Sequence, residues 1–243
     1  MSNLNILAED RDSIKSLQFN STNTSSNLNM GIDVTSLVNL TVFWSRGGSV
    51  QNGGGINSFV VSEANDKLKL VILIFNKLTG SANQYIPPNV ENLLMQFNEL
   101  NAPLSDLSSF TQLSAIATST NPNMGGNIPT LPSNINVIDF GGSGITGVLP
   151  SLSAYTNLQR VWLYVNPGII IPTNWTASAS MTSLFLFSCQ FSSAEVNTVL
   201  IEIDSFGTSN GALNIGGDNA NATGAGLTAK SNLTSRGWEV ITT

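Results

Sequence analysis

The chain has 243 residues, 41% of them apolar and only 10% charged, which suffices for a sizeable core and excludes a disordered polyelectrolyte. Its formal charge of -6, with 9 scattered Lys and Arg, offers no footprint for nucleic acid. The single cysteine excludes an internal disulfide. The lack of histidine removes Ser-His-Asp and Cys-His nucleophiles, His-ligated zinc and histidine acid–base catalysis.

From the beginning, Met1 to Ser13 carries charges near its end and no apolar h-region, so no signal peptide is expected. The N-x-[ST] sequons, such as Asn39, Asn174 and Asn232, then read as a by-product of Asn and Thr richness. Ile14, Leu17 and Phe19, then Leu40 and Phe43, read as early coils with long insertions; residues 1–34 form an N-terminal cap and first irregular coil. The longest apolar run, Leu70 to Phe75, is too short to span a bilayer, so no membrane insertion is expected.

A regular frame begins at Leu68. Apolar residues stand at its first position, three later and five later, a small polar residue eight later and an apolar residue ten later. Leu68, Val71, Leu73, Asn76 and Leu78 fit it. Val90, Leu93, Met95, Asn98, Leu100 also fit, as do Ile135, Ile138, Phe140, Ser143, Ile145 and Met181, Leu184, Leu186, Cys189, Phe191. Leu158, Val161, Leu163, Asn166 fit with a later slip, and Leu113, Ile116, Asn121 fit with Thr118 in an apolar slot. The starts at 68, 90, 113, 135, 158 and 181 lie 22, 23, 22, 23 and 23 residues apart, a spacing that signals a stack of structural repeats. Leu213, Ile215 and Asp218 look like a looser late copy, and Trp238, Glu239 and Val240 like a last strand.

The positions three and five along share one face of a strand and point inward. The residue eight along ends the strand, where an amide can satisfy backbone groups of adjacent coils. Asn76, Asn98, Asn121, Ser143, Asn166 and Cys189 are therefore expected to form an internal ladder with Asp218 in the same slot, and Cys189 to be a buried structural thiol. Ser192 to Asp204 carries Val196, Val199, Leu200 and Ile203 at helical spacing, with Ser192 or Ser193 as N-cap and Glu195 in the first turn. Thr223 to Arg236 reads as a second helix with Leu227 and Leu233 inward and Gly237 as its stop. Residues 205–243 thus supply a C-terminal coil, helix and closing strand to one solenoid spanning 1–243.

The frame resembles the L-x-x-L-x-L-x-x-N-x-L of leucine-rich-repeat proteins over roughly residues 35 to 220. Gly126, Asn127, Ile128, Pro129 and Gly147, Val148, Leu149, Pro150 are similar to the G-x-I-P turn of the plant-type subclass; Ile86-Pro87 and Ile171-Pro172 echo it. The stretch Gly224 to Trp238 is similar to the closing helix and strand of repeat domains in bacterial and phage surface proteins. Cysteine-rich caps are missing, unlike secreted eukaryotic receptor ectodomains. The resemblance implies an α/β solenoid of about nine coils, with a parallel sheet on the concave side and few helices on the convex side. At about 4.8 Å per strand the stack would be roughly 40 Å long.

On that sheet two apolar clusters are expected to face outward. One holds Trp44, Ile72, Ile74, Leu94, Phe75 and Phe97; the other holds Trp162, Tyr164, Phe185 and Phe187. Patches of this size mark binding surfaces for protein or for sugar rings. The competing reading is that loops or a neighbouring subunit cover them, or that the register slips by one residue and sends them into the core.

Chemistry finds less support. Asp139 and Glu91 are the acids placed on the concave sheet, two coils apart, and read as solvated. Gly53 to Gly55 and Gly141, Gly142 and Gly144 read as turn glycines with positive φ, and Asp218-Asn219 as a turn in place of a calcium site. The expectation is a non-catalytic module without cofactor or metal, either a phage virion surface component or spike engaged in host attachment. Its partner would be another virion subunit, a second copy or a cell-surface glycan. The alternatives are a polysaccharide-active solenoid enzyme using Asp139 and an intracellular bacterial repeat protein docking a protein partner.

Overall fold

A computed structural model describes residues 13–20, 29–47 and 55–243. Gly53 and Gly54, and the segment judged to lack a signal peptide apart from Ser13, lie outside the described residues. In chain order the described elements are β1 (Ser16–Asn20), β2 (Asn29–Asp33), β3 (Val42–Arg46), β4 (Gly55–Val60), β5 (Leu70–Ile74) and β6 (Asn92–Leu94). They continue with β7 (Ala115–Ala117), β8 (Val137–Asp139), β9 (Thr146–Val148), β10 (Arg160–Trp162), β11 (Gly168–Ile170) and β12 (Ser183–Phe185). Helix α1 (Ser193–Ser205), β13 (Ala212–Ile215), helix α2 (Ala225–Ser235) and β14 (Glu239–Thr242) complete the chain.

Ten of these strands form one parallel sheet in the order β1-β3-β5-β6-β7-β8-β10-β12-β13-β14. Sequence order is spatial order, so each connection leaves the sheet, travels round and returns one strand further on. The result is a solenoid-like stack. The register follows the frame: Val71, Leu93, Ile116, Ile138, Val161, Leu184 and Leu213 are successive partners, and all are buried. At about 1.5–3 kcal/mol for each large apolar side chain removed from water, this repeated inward row is the main favourable contribution to the fold. Two small parallel sheets, β2 with β4 and β9 with β11, were not anticipated. The G-x-I-P segment at Gly147 runs into β9, so part of what reads as a turn is strand.

The strand-ending slot forms the expected ladder. Asn98 donates Nδ2 to Leu73 O at 2.6 Å and accepts from Leu78 N at 3.2 Å, both in the preceding coil. Asn121 does the same with Met95 O at 3.0 Å and Leu100 N at 3.1 Å, and Asn166 with Phe140 O and Ile145 N, both at 2.9 Å. Asn76 accepts from Ile56 N at 3.0 Å and donates to Ser45 O at 3.1 Å. Ser143 and Cys189 are shorter and reach back only as donors, to Thr118 O at 2.7 Å and Leu163 O at 3.3 Å. Burial pushes the Cys189 thiol up to about 11, in keeping with a structural role. The next rung is Asn219, not Asp218. Asp218 is exposed, while Asn219 accepts from Cys189 N and Phe191 N and donates to Leu186 O. This turn, with Gly216 and Gly217, is one residue longer than the frame.

Both helices lie where expected. Ser192 caps α1 in a reciprocal box with Glu195, and Val196, Val199, Leu200 and Ile203 are buried. In α2, Leu233 is buried but Leu227 is 53% exposed, contrary to expectation. The buried side of α2 is Gly226, Ala229 and Leu233, and the two small residues permit close packing on α1: a Cβ at Gly226 would run into Asn197.

Candidate functional site

Strand side chains alternate, so the residues between the core positions form the outer face of the ten-stranded sheet. Trp44, Ile72 and Leu94 are register partners in one column, continued by Ala117, Asp139, Trp162, Phe185 and Asn214. None of the ten expected face residues enters the core. Trp44, Ile72, Ile74, Phe75, Leu94, Phe97, Trp162, Tyr164, Phe185 and Phe187 are all half-buried. The register expected for the face is the register found.

The aromatic side chains associate with each other along the stack. Tyr164 and Phe187 stack at 4.8 Å between centroids with planes 3° apart, Trp162 and Phe185 at 5.6 Å and 14°. Phe75 and Phe97 stack at 4.2 Å and 9°, with the Arg46 guanidinium 5.5 Å above Phe75. The strand spacing brings neighbours to ring-stacking distance. One face of each ring is covered by its partner, and what the stack turns outward is largely ring edge.

A second regularity concerns the residue seven along the frame, where the chain leaves the strand. Phe75, Phe97, Thr120, Val165 and Ser188 all have φ between 54° and 62°, with Gly142 and Gly217 at the equivalent turns. Left-handed backbone costs an ordinary L-residue about 1–2 kcal/mol. Phe and Val there are unusual, and Val165 is 46% exposed. The apolar side chains at these strained turns extend the two clusters past the strand ends. Sequence inspection placed Phe75 and Phe97 in a cluster but missed Val165. Its place in the frame was the available signal.

Between the clusters lies low, polar ground. On β7 and β8 and just past their ends the outward residues are Ala117, Ser119, Asp139 and Gly141, flanked by Leu94 and Gln96 on one side and Trp162 and Tyr164 on the other. Asp139 corrects the expectation of a solvated acid: it is 5% exposed, accepting from Ser119 Oγ at 2.7 Å and Gly141 N at 3.2 Å. Burial raises its pKa above the ordinary 3.8, more than these hydrogen bonds lower it. Tyr164 is raised above 10.0 by its own burial and by the Asp139 charge. Gly141 does not have the positive φ expected of it, although Gly142 and Gly144 do. It is small because the Tyr164 ring lies across it, where a Cβ would strike the ring. Glu91 stands just before β6, half-exposed and 3.6 Å from Lys69.

Two polar atoms on this face are buried without a partner among the described residues, Trp44 Nε1 and Gln96 Oε1. By contrast, Trp162 Nε1 donates to Ser183 Oγ at 2.9 Å. Among the described residues no group of three or more His, Cys, Asp or Glu is arranged to hold a metal, and no helix is long and apolar enough to cross a membrane. Comparison with known proteins finds no matching family model, no similar curated protein and no similar solved structure.

Proposed function

We propose that the chain is a leucine-rich-repeat solenoid acting as a non-catalytic binding or structural module on the surface of a phage virion. Its outer sheet face, the concave side of such a solenoid, packs against another protein. The observation that carries this reading is the presentation of three stacked aromatic pairs, half-exposed, on a face with few charges. Aromatic anchors of this kind dominate the energetics of protein interfaces. The stacking favours a protein over a glycan, because a sugar ring needs a free aromatic face and each of these rings has one face covered by its partner.

The virion assignment rests on composition: a low-charge surface rich in Asn, Ser, Thr and Gly, without a cysteine framework, suits an exposed protein released by lysis. A polysaccharide-cleaving site would need a second carboxylate about 5–10 Å from Asp139. Asp139 is instead held by Ser119 and Gly141, and Glu91 is engaged by Lys69. Glycan cleavage abolished by Asp139→Asn would reverse this ranking. Mass spectrometry of purified particles tests the main reading directly: the chain is expected in intact virions, and Trp162→Ala with Phe185→Ala should reduce its incorporation. Particles that lack the chain would end the virion assignment, and unchanged incorporation of the folded double variant would end the role of the face.

A further inference from the structure

The two aromatic clusters carry a charge pattern opposite to that of the whole chain. The formal charge is -6, yet each cluster is bordered by an exposed guanidinium. Arg46 ends β3 and rests over Phe75; Arg160 begins β10, two positions before Trp162 and on the same outward side. The ion pairs among the described residues are Lys69–Glu91 and Arg236–Asp204, so neither guanidinium has a carboxylate partner there. Arg160 lies between Val137 and Ser183 of the neighbouring strands, and neither carries charge.

Acids are withdrawn from the same ground. Asp139, on β8 between the clusters, is 5% exposed and held by Ser119 and Gly141. Glu239, exposed in the same column as Arg160, stands on β14, three strands further on and about 14 Å away at the usual strand spacing. The rings add to the positive sign. An aromatic ring is negative on its faces and positive at its edge, and the stacks of Trp162 on Phe185 and Tyr164 on Phe187 turn largely edges outward. A carboxylate seated on these edges also comes within reach of Arg160, about 7 Å along the strand from Trp162. Guanidinium offers it a planar fork of donors.

We propose that the outer face docks an acidic partner protein, whose carboxylates pair with Arg160 beside the Trp162–Phe185 stack and with Arg46 beside Phe75. The proposal rests on the binding-face reading above and specifies the chemistry of the partner: acids set among apolar side chains. Arg46 and Arg160 are five strands apart, about 24 Å, so one partner engaging both presents a broad surface or a long extended segment. The apolar clusters supply contact area, and the two guanidiniums fix the register.

The test is an NMR titration of the folded chain with three capped tripeptides, Phe-Glu-Phe, Phe-Gln-Phe and Phe-Lys-Phe. The glutamate peptide should shift the Trp162 indole and the Arg160 guanidinium signals saturably, at least threefold more tightly than glutamine, with lysine weakest. Added salt should reduce that preference. Arg160→Gln should abolish it at Trp162, Arg160→Lys should keep part of it, and Lys67→Gln, outside the outward columns, should leave it intact. Thermal unfolding confirms that each variant is folded. Equal binding of glutamate and glutamine, no saturable shift, or a preference surviving in Arg160→Gln would each overturn the proposal. Self-association of the chain, read as concentration-dependent shifts of the same signals that Arg160→Gln removes, would make the occupant a second copy and overturn it as well. If the preference is missing while Phe185→Ala still lowers incorporation into particles, the acidic partner fails and the binding face stands. If Phe185→Ala has no effect either, the underlying reading fails too.

Discussion

The inner and outer faces of the same strands follow opposite rules. Inside, the strands of the ten-stranded sheet from β5 to β13 repeat one solution: Leu, Ile or Val on the strand, then an amide or a smaller donor reaching back one coil. Outside, strands that differ by single registers carry Trp, Ala, Asp or Asn in the same column. Inside, regularity is required because each coil must match its neighbours at close packing and leave no backbone group unpaired. Outside, no such requirement acts, so departures from bland polarity need another explanation. The stacked rings, the left-handed Phe75, Phe97 and Val165, and the buried Asp139 are such departures. They are concentrated on one face.

Four substitutions can break or sharpen this contrast. The largest effect should come from Leu163→Ala, which empties a fully buried site and should cost about 2–5 kcal/mol in chemical denaturation. Phe187→Ala, next to the buried Leu186 but on the outer face, should cost clearly less. A reversal of that order would mean the faces are misassigned. Next, Asn166→Ala leaves Phe140 O and Ile145 N without their buried partner and should cost about 1–3 kcal/mol. Ser143→Ala, which gives up a donor role only, should cost less. Equal losses would argue against the ladder.

A gain is expected at Val165. Relieving its left-handed strain with Val165→Gly should stabilise the free chain by up to about 1 kcal/mol while weakening partner binding. A destabilised variant would show that the side chain serves the fold alone. The smallest effect concerns pH. Burial raises the Asp139 pKa above 3.8, so in the window between 3.8 and the raised value the folded chain holds more protons than the unfolded one. The stability that protonated Asp139 contributes is therefore complete below 3.8 and is lost as pH rises through the folded-state value. In thermal melts across pH, the difference between the wild type and Asp139→Asn should follow that descent. A flat difference would place Asp139 in a less buried site.

Much of this was legible in the sequence because it depends on periodicity. A frame of 22 to 23 residues determines which side chains point inward, and therefore which point outward. The rungs from Asn76 to Cys189 followed from the same count. The count failed where an extra residue entered, moving the last rung from Asp218 to Asn219, and at α2, where close helix packing turned Gly226 and Ala229 inward in place of Leu227. The side sheets β2–β4 and β9–β11 were hidden because short strands among Gly and Asn read as loops. Burial of Asp139 was hidden for a different reason. It depends on the Tyr164 ring lying across Gly141 and on Ser119 one strand away, and no spacing rule reports on a neighbour's side-chain direction.

Hydroxyl-radical footprinting by mass spectrometry, on the free chain and on the chain in its assembly, tests the central claim most directly. In the free chain Trp162, Tyr164, Phe185 and Phe187 should be labelled, whereas Phe140 and Leu163 should not. In the assembly, protection should appear on the outer-face residues and extend to Val165, with exposed residues elsewhere, such as Ile170 and Leu227, unchanged. Labelling of the four aromatic residues that is identical in both states would contradict the account.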